Sequence, residues 1–111
     1  MDTDIIIPIY NAFDFTKKCI ETVIEHTDLT KHTLLLINDK STDQRILPLL
    51  NLFTTEYPSL NITIINNESN QGFVRTVNIG MQHSSRDVVL LNSDTEVTKN
   101  WLPKIHKCAY S

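Results

Sequence analysis

Four short apolar runs punctuate the chain, at residues 4–9, 33–37, 62–65 and 88–91. Each is continuously apolar rather than alternating, a pattern that suits strands covered on both faces, as in a parallel sheet between helices. Between the runs, apolar residues recur at helical spacing. The first helix is expected after Asp14 as cap, with Phe15, Cys19, Val23 and Ile24 on one face and Lys17, Lys18, Glu21 and Glu25 on the other. A second spans about 43–57, placing Ile46, Leu49, Leu50, Phe53 and Tyr57 inward, with Pro48 pushing its start later. A third covers about 73–83 with Val74, Val77 and Met81 inward, and a fourth begins near Trp101 with Leu102, Ile105 and Cys108.

Strand and helix therefore alternate four times with short connections. That order predicts an α/β fold: an open, mostly parallel sheet built from right-handed crossovers, with helices on both faces. The whole chain, 1–111, reads as one domain. It stops soon after the fourth helix begins, without the polar or Gly/Pro punctuation of a finished domain, so it is expected to be a truncated part of a larger one.

Composition narrows the function more than the fold. A net charge of −3 with scattered basic residues does not supply the basic stripe that nucleic acid requires. No apolar run approaches the roughly 18 residues of a membrane span, and the acidic N-terminus does not resemble a secretion signal. A cytoplasmic setting is the expectation, with peripheral membrane association in a longer protein. Cys19 and Cys108 lack metal or redox spacing and read as small core residues. The four histidines show no ligand spacing. With only two glycines, Gly72 and Gly80, both the Gly-rich dinucleotide fingerprint and the P-loop are excluded.

In open α/β sheets ligands bind beyond the carboxyl ends of the strands. All four of those positions are polar here. After the first strand comes Pro8-Ile9-Tyr10-Asn11, after the second Asn38-Asp39-Lys40-Ser41-Thr42-Asp43, after the third Asn66-Asn67-Glu68, and after the fourth Asn92-Ser93-Asp94-Thr95-Glu96. Tyr10 offers a face for a nucleotide base, and Asp39 an acceptor for the ring N–H of a pyrimidine. Asp43 reads as a turn and cap residue. Asp94 is placed to hold a divalent metal, Mn2+ or Mg2+, against a diphosphate. Asn92 adds a weak carbonyl ligand or a bond to a ribose hydroxyl. With one carboxylate, metal and nucleotide are expected to bind cooperatively. Arg75, near the start of the third helix, reads equally as a phosphate or base contact and as a surface residue. Glu96 reads as a solvated loop residue and Trp101 as packing.

Taken in order, these segments resemble the family 2 glycosyltransferases with the GT-A fold. The resemblance is carried by Ile5 to Asn11, by Ile37 to Asp43, by Asn70-Gln71-Gly72-Phe73 with Asn78 and Gly80, and by Leu90 to Val97 followed by Trp101-Leu102. It implies that Pro8, Tyr10 and Asn11 line the base and ribose pocket, that Asp39 binds the base, and that Arg75 lies near the diphosphate or base. Asn92 and Asp94 fall at the two ends of the family's Asp-X-Asp motif, which reads Asn-Ser-Asp here and leaves Asp94 as the metal ligand. The implied activity is transfer of a sugar, with inversion, from a nucleoside-diphosphate sugar to a glycan or lipid-linked acceptor. No catalytic base is assigned, since the family places it further along the chain. Two other readings stay open: a non-catalytic nucleotide-binding module, and a sugar nucleotidyltransferase, which the scarcity of glycine disfavours. Apolar surface left exposed by a partial domain also leads us to expect homo-oligomers or poor solubility.

Overall fold

The computed structural model describes residues 2–110, and their side chains as far as residue 105. Four strands and four helices alternate: β1 (Thr3–Ile9), α1 (Phe13–His26), β2 (Thr33–Asn38), α2 (Ile46–Glu56), β3 (Ile62–Asn66), α3 (Phe73–Gln82), β4 (Asp87–Leu90) and α4 (Trp101–Tyr110). The strands form one parallel sheet in the order β3-β2-β1-β4. Right-handed crossovers step β1 to β2 to β3 in one direction, so α1 and α2 share a face. The chain must then recross the sheet to set β4 beside β1, which puts α3 on the opposite face.

The two faces carry unequal cores. Ile5, Ile7 and Ile9 of β1 and Leu34 and Leu36 of β2 pack with Cys19, Ile20 and Val23 of α1, with Leu49, Leu50 and Phe53 of α2, and with Trp101 and Leu102 of α4. The other face is thin: Ile6, Leu35 and Ile37, with Ile65 and Val88 at its margin. Apolar runs that fill both faces are thus found in β1 and β2, which are buried throughout apart from Thr33. β3 and β4 are the edges of this sheet and are only half covered, which departs from the expectation that all four strands are sandwiched.

Three helices differ from the sequence reading. α1 begins at Phe13, and its cap is Ala12 in the left-handed region with no side-chain bond, so Asp14 sits inside the first turn. Its inward residues are Thr16, Cys19, Ile20, Thr22 and Val23, while Phe15 is 64% exposed. Thr16 tolerates burial because its hydroxyl donates to the Asn11 carbonyl, 3.2 Å away. α2 starts at Ile46, which places Pro48 in the first turn, where a missing N–H costs nothing. Ile46, Leu49, Leu50 and Phe53 are buried as expected, but Tyr57 caps the helix and is exposed.

α3 is rotated from its expected phase. Thr76 and Gly80 face the sheet, whereas Val74 and Met81 point outward and Val77 is half-buried. The cause is close approach: a methyl group on Gly80 would lie 2.7 Å from Ile37 Cδ1 and 2.9 Å from Ile6 Cγ2. Small residues, not bulky ones, mark the inner side of a helix that sits this near a sheet. Trp101 is buried, with its indole N–H donating to Thr27 Oγ1 at 2.8 Å, in keeping with a packing role. Cys19 is a buried free thiol, and Cys108 lies outside the described side chains. No helix among the described residues is long and apolar enough to cross a membrane.

Candidate functional site

The carboxyl ends of β1 and β2 finish side by side, with Ile9 registered against Asn38. This puts Tyr10 beside Asp39. Pro8, Ile9, Tyr10 and Asp39 line a cleft of about 90 Å³ that is closed from the other side by Phe73 and Thr76 of α3. Tyr10 and Phe73 are both half-exposed aromatic residues, 48% and 55%, so the cleft presents flat apolar faces to solvent. A larger, open depression of about 550 Å³ lies beyond the ends of β2 and β3. The Asn38 amide in its wall already donates to Asn66 Oδ1, and that of Asn67 to Asp39.

Asp39 is the best-connected side chain at this edge. Its Oδ1 accepts the backbone N–H of Gln71 at 2.7 Å and the Asn67 amide at 2.9 Å, and its Oδ2 accepts the N–H of Gly72 at 3.0 Å. Burial alone raises the carboxyl's pKa, but the donors from Gln71, Asn67, Gly72 and Thr76 together outweigh it and hold the group below its ordinary value. The charged form is therefore the resident one. Gly72 meets this carboxylate with φ 82 and ψ 168, a backbone conformation essentially reserved for glycine. Asp39 thus fastens the loop before α3 onto the end of β2.

Asn11 ties two loops together at this edge. Its side-chain amide donates to Thr42 Oγ1 at 2.9 Å, its Oδ1 accepts the Asp43 N–H at 2.9 Å, and its own N–H donates to Ser41 Oγ at 3.0 Å. It clamps the β1 exit to the β2–α2 loop and is not among the residues lining the Tyr10 cleft. Asn11, Ala12 and Lys40 all hold positive φ within this cluster, which is where strained backbone tends to concentrate. Asp43 is a turn residue as expected. Its Oδ1 accepts the Arg45 N–H, and the Arg45 guanidinium forks onto it, lowering its pKa to about 2.

Asn92 and Asp94 sit on the turn after β4, on the other side of β1. The turn is closed by Thr95 N–H donating to the Asn92 carbonyl at 3.0 Å. Both side chains are exposed and make no hydrogen bond or ion pair among the described residues. Cys19 of α1 lies beneath: its thiol donates to the Asn92 carbonyl at 3.6 Å. Burial, reinforced by the charge of Asp94 against a lowering contact from Thr95, pushes its pKa up to about 11. Among the described residues no three acidic, histidine or cysteine groups gather as a metal-binding set. Among the described residues Asp94 is the carboxylate at this turn that would suit a hard divalent cation, which would have to draw its remaining ligands from outside the chain's side chains, as from phosphate oxygens and water.

The structure therefore brings Pro8, Tyr10 and Asp39 into one cleft, holds Asn92 and Asp94 on a separate turn at the same edge of the sheet, and leaves Arg75 exposed on α3 without a partner among the described residues. Phe73, Thr76 and Asn67 escaped the sequence reading as individual site residues. An exposed aromatic directly after the lone loop glycine was the available signal for Phe73. Glu96 is exposed, as expected for a solvated loop residue.

Fold and site together define a parallel α/β domain whose strand-end edge carries an aromatic cleft, an ionised carboxylate and a second carboxylate on a neighbouring turn. The description of glycosyl transferase family 2 matches residues 4–109, and the chain belongs to that family. It is 29% identical over 96 residues to the "Uncharacterized glycosyltransferase YwdF" of Bacillus subtilis (strain 168), covering 86% of this chain and 33% of that protein. Among solved structures it is similar to the mannosyltransferase PcManGT of Pyrobaculum calidifontis in complex with GDP-Man and Mn2+, with a TM-score of 0.89, 18% identity, and coverage of 98% of this chain and 32% of the other. It is also similar to S. aureus TarS 1-349 in complex with UDP-GlcNAc, with a TM-score of 0.77, 20% identity, and coverage of 96% and 30%. The chain thus spans about a third of the length of these relatives, and the structural likeness establishes a GT-A fold.

Proposed function

We propose that this chain forms the donor-binding part of a glycosyltransferase that moves a sugar, with inversion, from a nucleoside-diphosphate sugar to a hydroxyl of a glycan or lipid-linked acceptor. The observation that carries the reading is the ionised Asp39 in the wall of a cleft flanked by Tyr10 and Phe73. A base lies between the two aromatic faces and presents its edge to the carboxylate. The diphosphate then runs toward the turn after β4, where Asp94 is the ligand for Mn2+ or Mg2+, and Arg75, next to Thr76 of the cleft, is an exposed cation for the phosphates. When bound, such a cation supplies Lewis-acid stabilisation of the departing diphosphate. Asp94 provides one charge only, so cation and diphosphate bind each other's site cooperatively. We assign no catalytic base within residues 2–105.

An amide-resolved NMR titration with UDP, dTDP, GDP and CDP, with and without Mg2+, tests this. UDP or dTDP should shift Tyr10, Asp39, Gly72 and Phe73, and Mg2+ should extend the shifts to the 92–95 turn. Silence toward every nucleotide overturns the donor-site reading.

A further inference from the structure

The carboxylate at Asp94 is carried by a segment that belongs to no strand or helix. Residues 91–100 link β4 to α4, and after the Leu91 N–H bonds to the Ile6 carbonyl at 2.9 Å the chain leaves the sheet ladder. What fixes the next residues comes from one helix. Cys19 donates to the Asn92 carbonyl at 3.6 Å. One helical turn further along α1, Thr22 Oγ1 accepts the Val97 N–H at 3.1 Å while donating its own proton to the Cys19 carbonyl at 2.9 Å. Cys19, Thr22 and Val97 are all buried. Asp94 is thus suspended between two anchored points, one before it and one after it, with the Thr95 to Asn92 turn between them.

A hydroxyl buried in a helix face is costly unless it is used, and this one has both its donor and an acceptor position engaged. Asp94 itself has no hydrogen bond among the described residues to hold its direction. A single-carboxylate site gains little from charge, so the direction of that carboxylate carries a large share of its affinity. We propose that Cys19 and Thr22 are positioning residues for the Asp94 turn: α1 acts as a two-point clamp that fixes the carboxylate before metal and diphosphate arrive. This rests on the metal role proposed for Asp94 and adds to it the residues that make that role effective.

Thr22→Val keeps the shape and removes the hydroxyl, Thr22→Ser keeps the hydroxyl, and Cys19→Ala removes the thiol's contacts with Asn92 and Thr95 together with its small share of the core. Mn2+ affinity is read by water-proton relaxation with and without UDP, UDP affinity without metal by NMR, and local opening by hydrogen exchange at the Val97 amide. Thr22→Val should weaken Mn2+ binding in the presence of UDP about tenfold, in the range typical of groups that orient a metal ligand. Metal-free UDP binding should stay unchanged, Val97 should exchange faster, and Thr22→Ser should restore both. Cys19→Ala should show the same loss in smaller measure and carries the test if Thr22→Val does not fold. Wild-type Mn2+ affinity in both Thr22→Val and Cys19→Ala, or a parallel loss of metal-free UDP binding, overturns the clamp. A wild-type protein that binds UDP but never Mn2+ overturns the metal role of Asp94 instead, and the clamp with it.

Discussion

Asp39 does two jobs with one carboxylate, and they are separable by pH. It joins β2 to the loop before α3 through the N–H groups of Gln71 and Gly72, and it faces the Tyr10 cleft. Because its pKa is held below the unfolded value, its ionised form stabilises the fold above the ordinary carboxylate range near 4, and that contribution is lost as pH falls through the folded value. Asp43, lowered to about 2 by Arg45, adds to the same trend with the same sign. Urea midpoints should therefore fall as pH drops from about 4 toward 2. In Asp39→Asn the Gly72 N–H would meet an amide donor, so that variant should lose about 1–3 kcal/mol at neutral pH and show a flatter acid profile. An unchanged midpoint at pH 7 would mean that the loop does not depend on this carboxylate. A polar residue ending an apolar run was enough to mark Asp39 in the sequence. Its partners were not legible, because Asn67, Gln71 and Gly72 lie about 30 positions later and meet it only through the β2–β3 pairing.

At the scale of elements, what the sequence told depended on whether the inner face of each helix is made of bulk. α2 packs Ile46, Leu49, Leu50 and Phe53 onto the thicker core, and its apolar spacing revealed both its existence and its phase. α3 lies so close to Ile6 and Ile37 that only Thr76 and Gly80 fit beneath it, leaving its bulky residues outside. Reading apolar residues as inward therefore put α3 the wrong way round. The same error placed Phe15 of α1 in the core, where Thr16 and Ile20 actually sit. Strand ends were found within a residue, since a parallel strand stops where its apolar run meets polar loop. Gly80 offers a direct check on the geometry of α3. Gly80→Ala would ordinarily stabilise a helix by nearly 1 kcal/mol, but here the methyl group collides with two isoleucine side chains. Overpacking of this kind costs about 1–3 kcal/mol, so the variant should have a lower urea midpoint than wild type. A higher midpoint would show that α3 stands further from the sheet.

For the molecule as a whole, the strand order sets both what is buried and what is left open. β1 and β2 occupy the centre, so the ends that carry Tyr10 and Asp39 rest on fully packed strands, whereas the Asp94 turn springs from a half-covered edge strand and needs support from α1. On the α3 side the thin core leaves apolar residues in water: Val74 is 70% exposed and Met81 52%, and Leu90 at the end of β4 is 44% exposed. β4 also has no strand partner on its outer side among the described residues. Exposed apolar side chains beside an unpaired strand edge favour association of copies. Sedimentation velocity on this chain should accordingly show a mass average that rises with concentration. Val74→Lys with Met81→Lys should lower that rise without lowering the urea midpoint, because neither side chain contributes to the core. Phe73 is left in place, since it belongs to the cleft. A single monomer boundary at every concentration would show that this face is compatible with water as it stands; suppression of association by the two lysines would identify α3 as the surface through which copies meet.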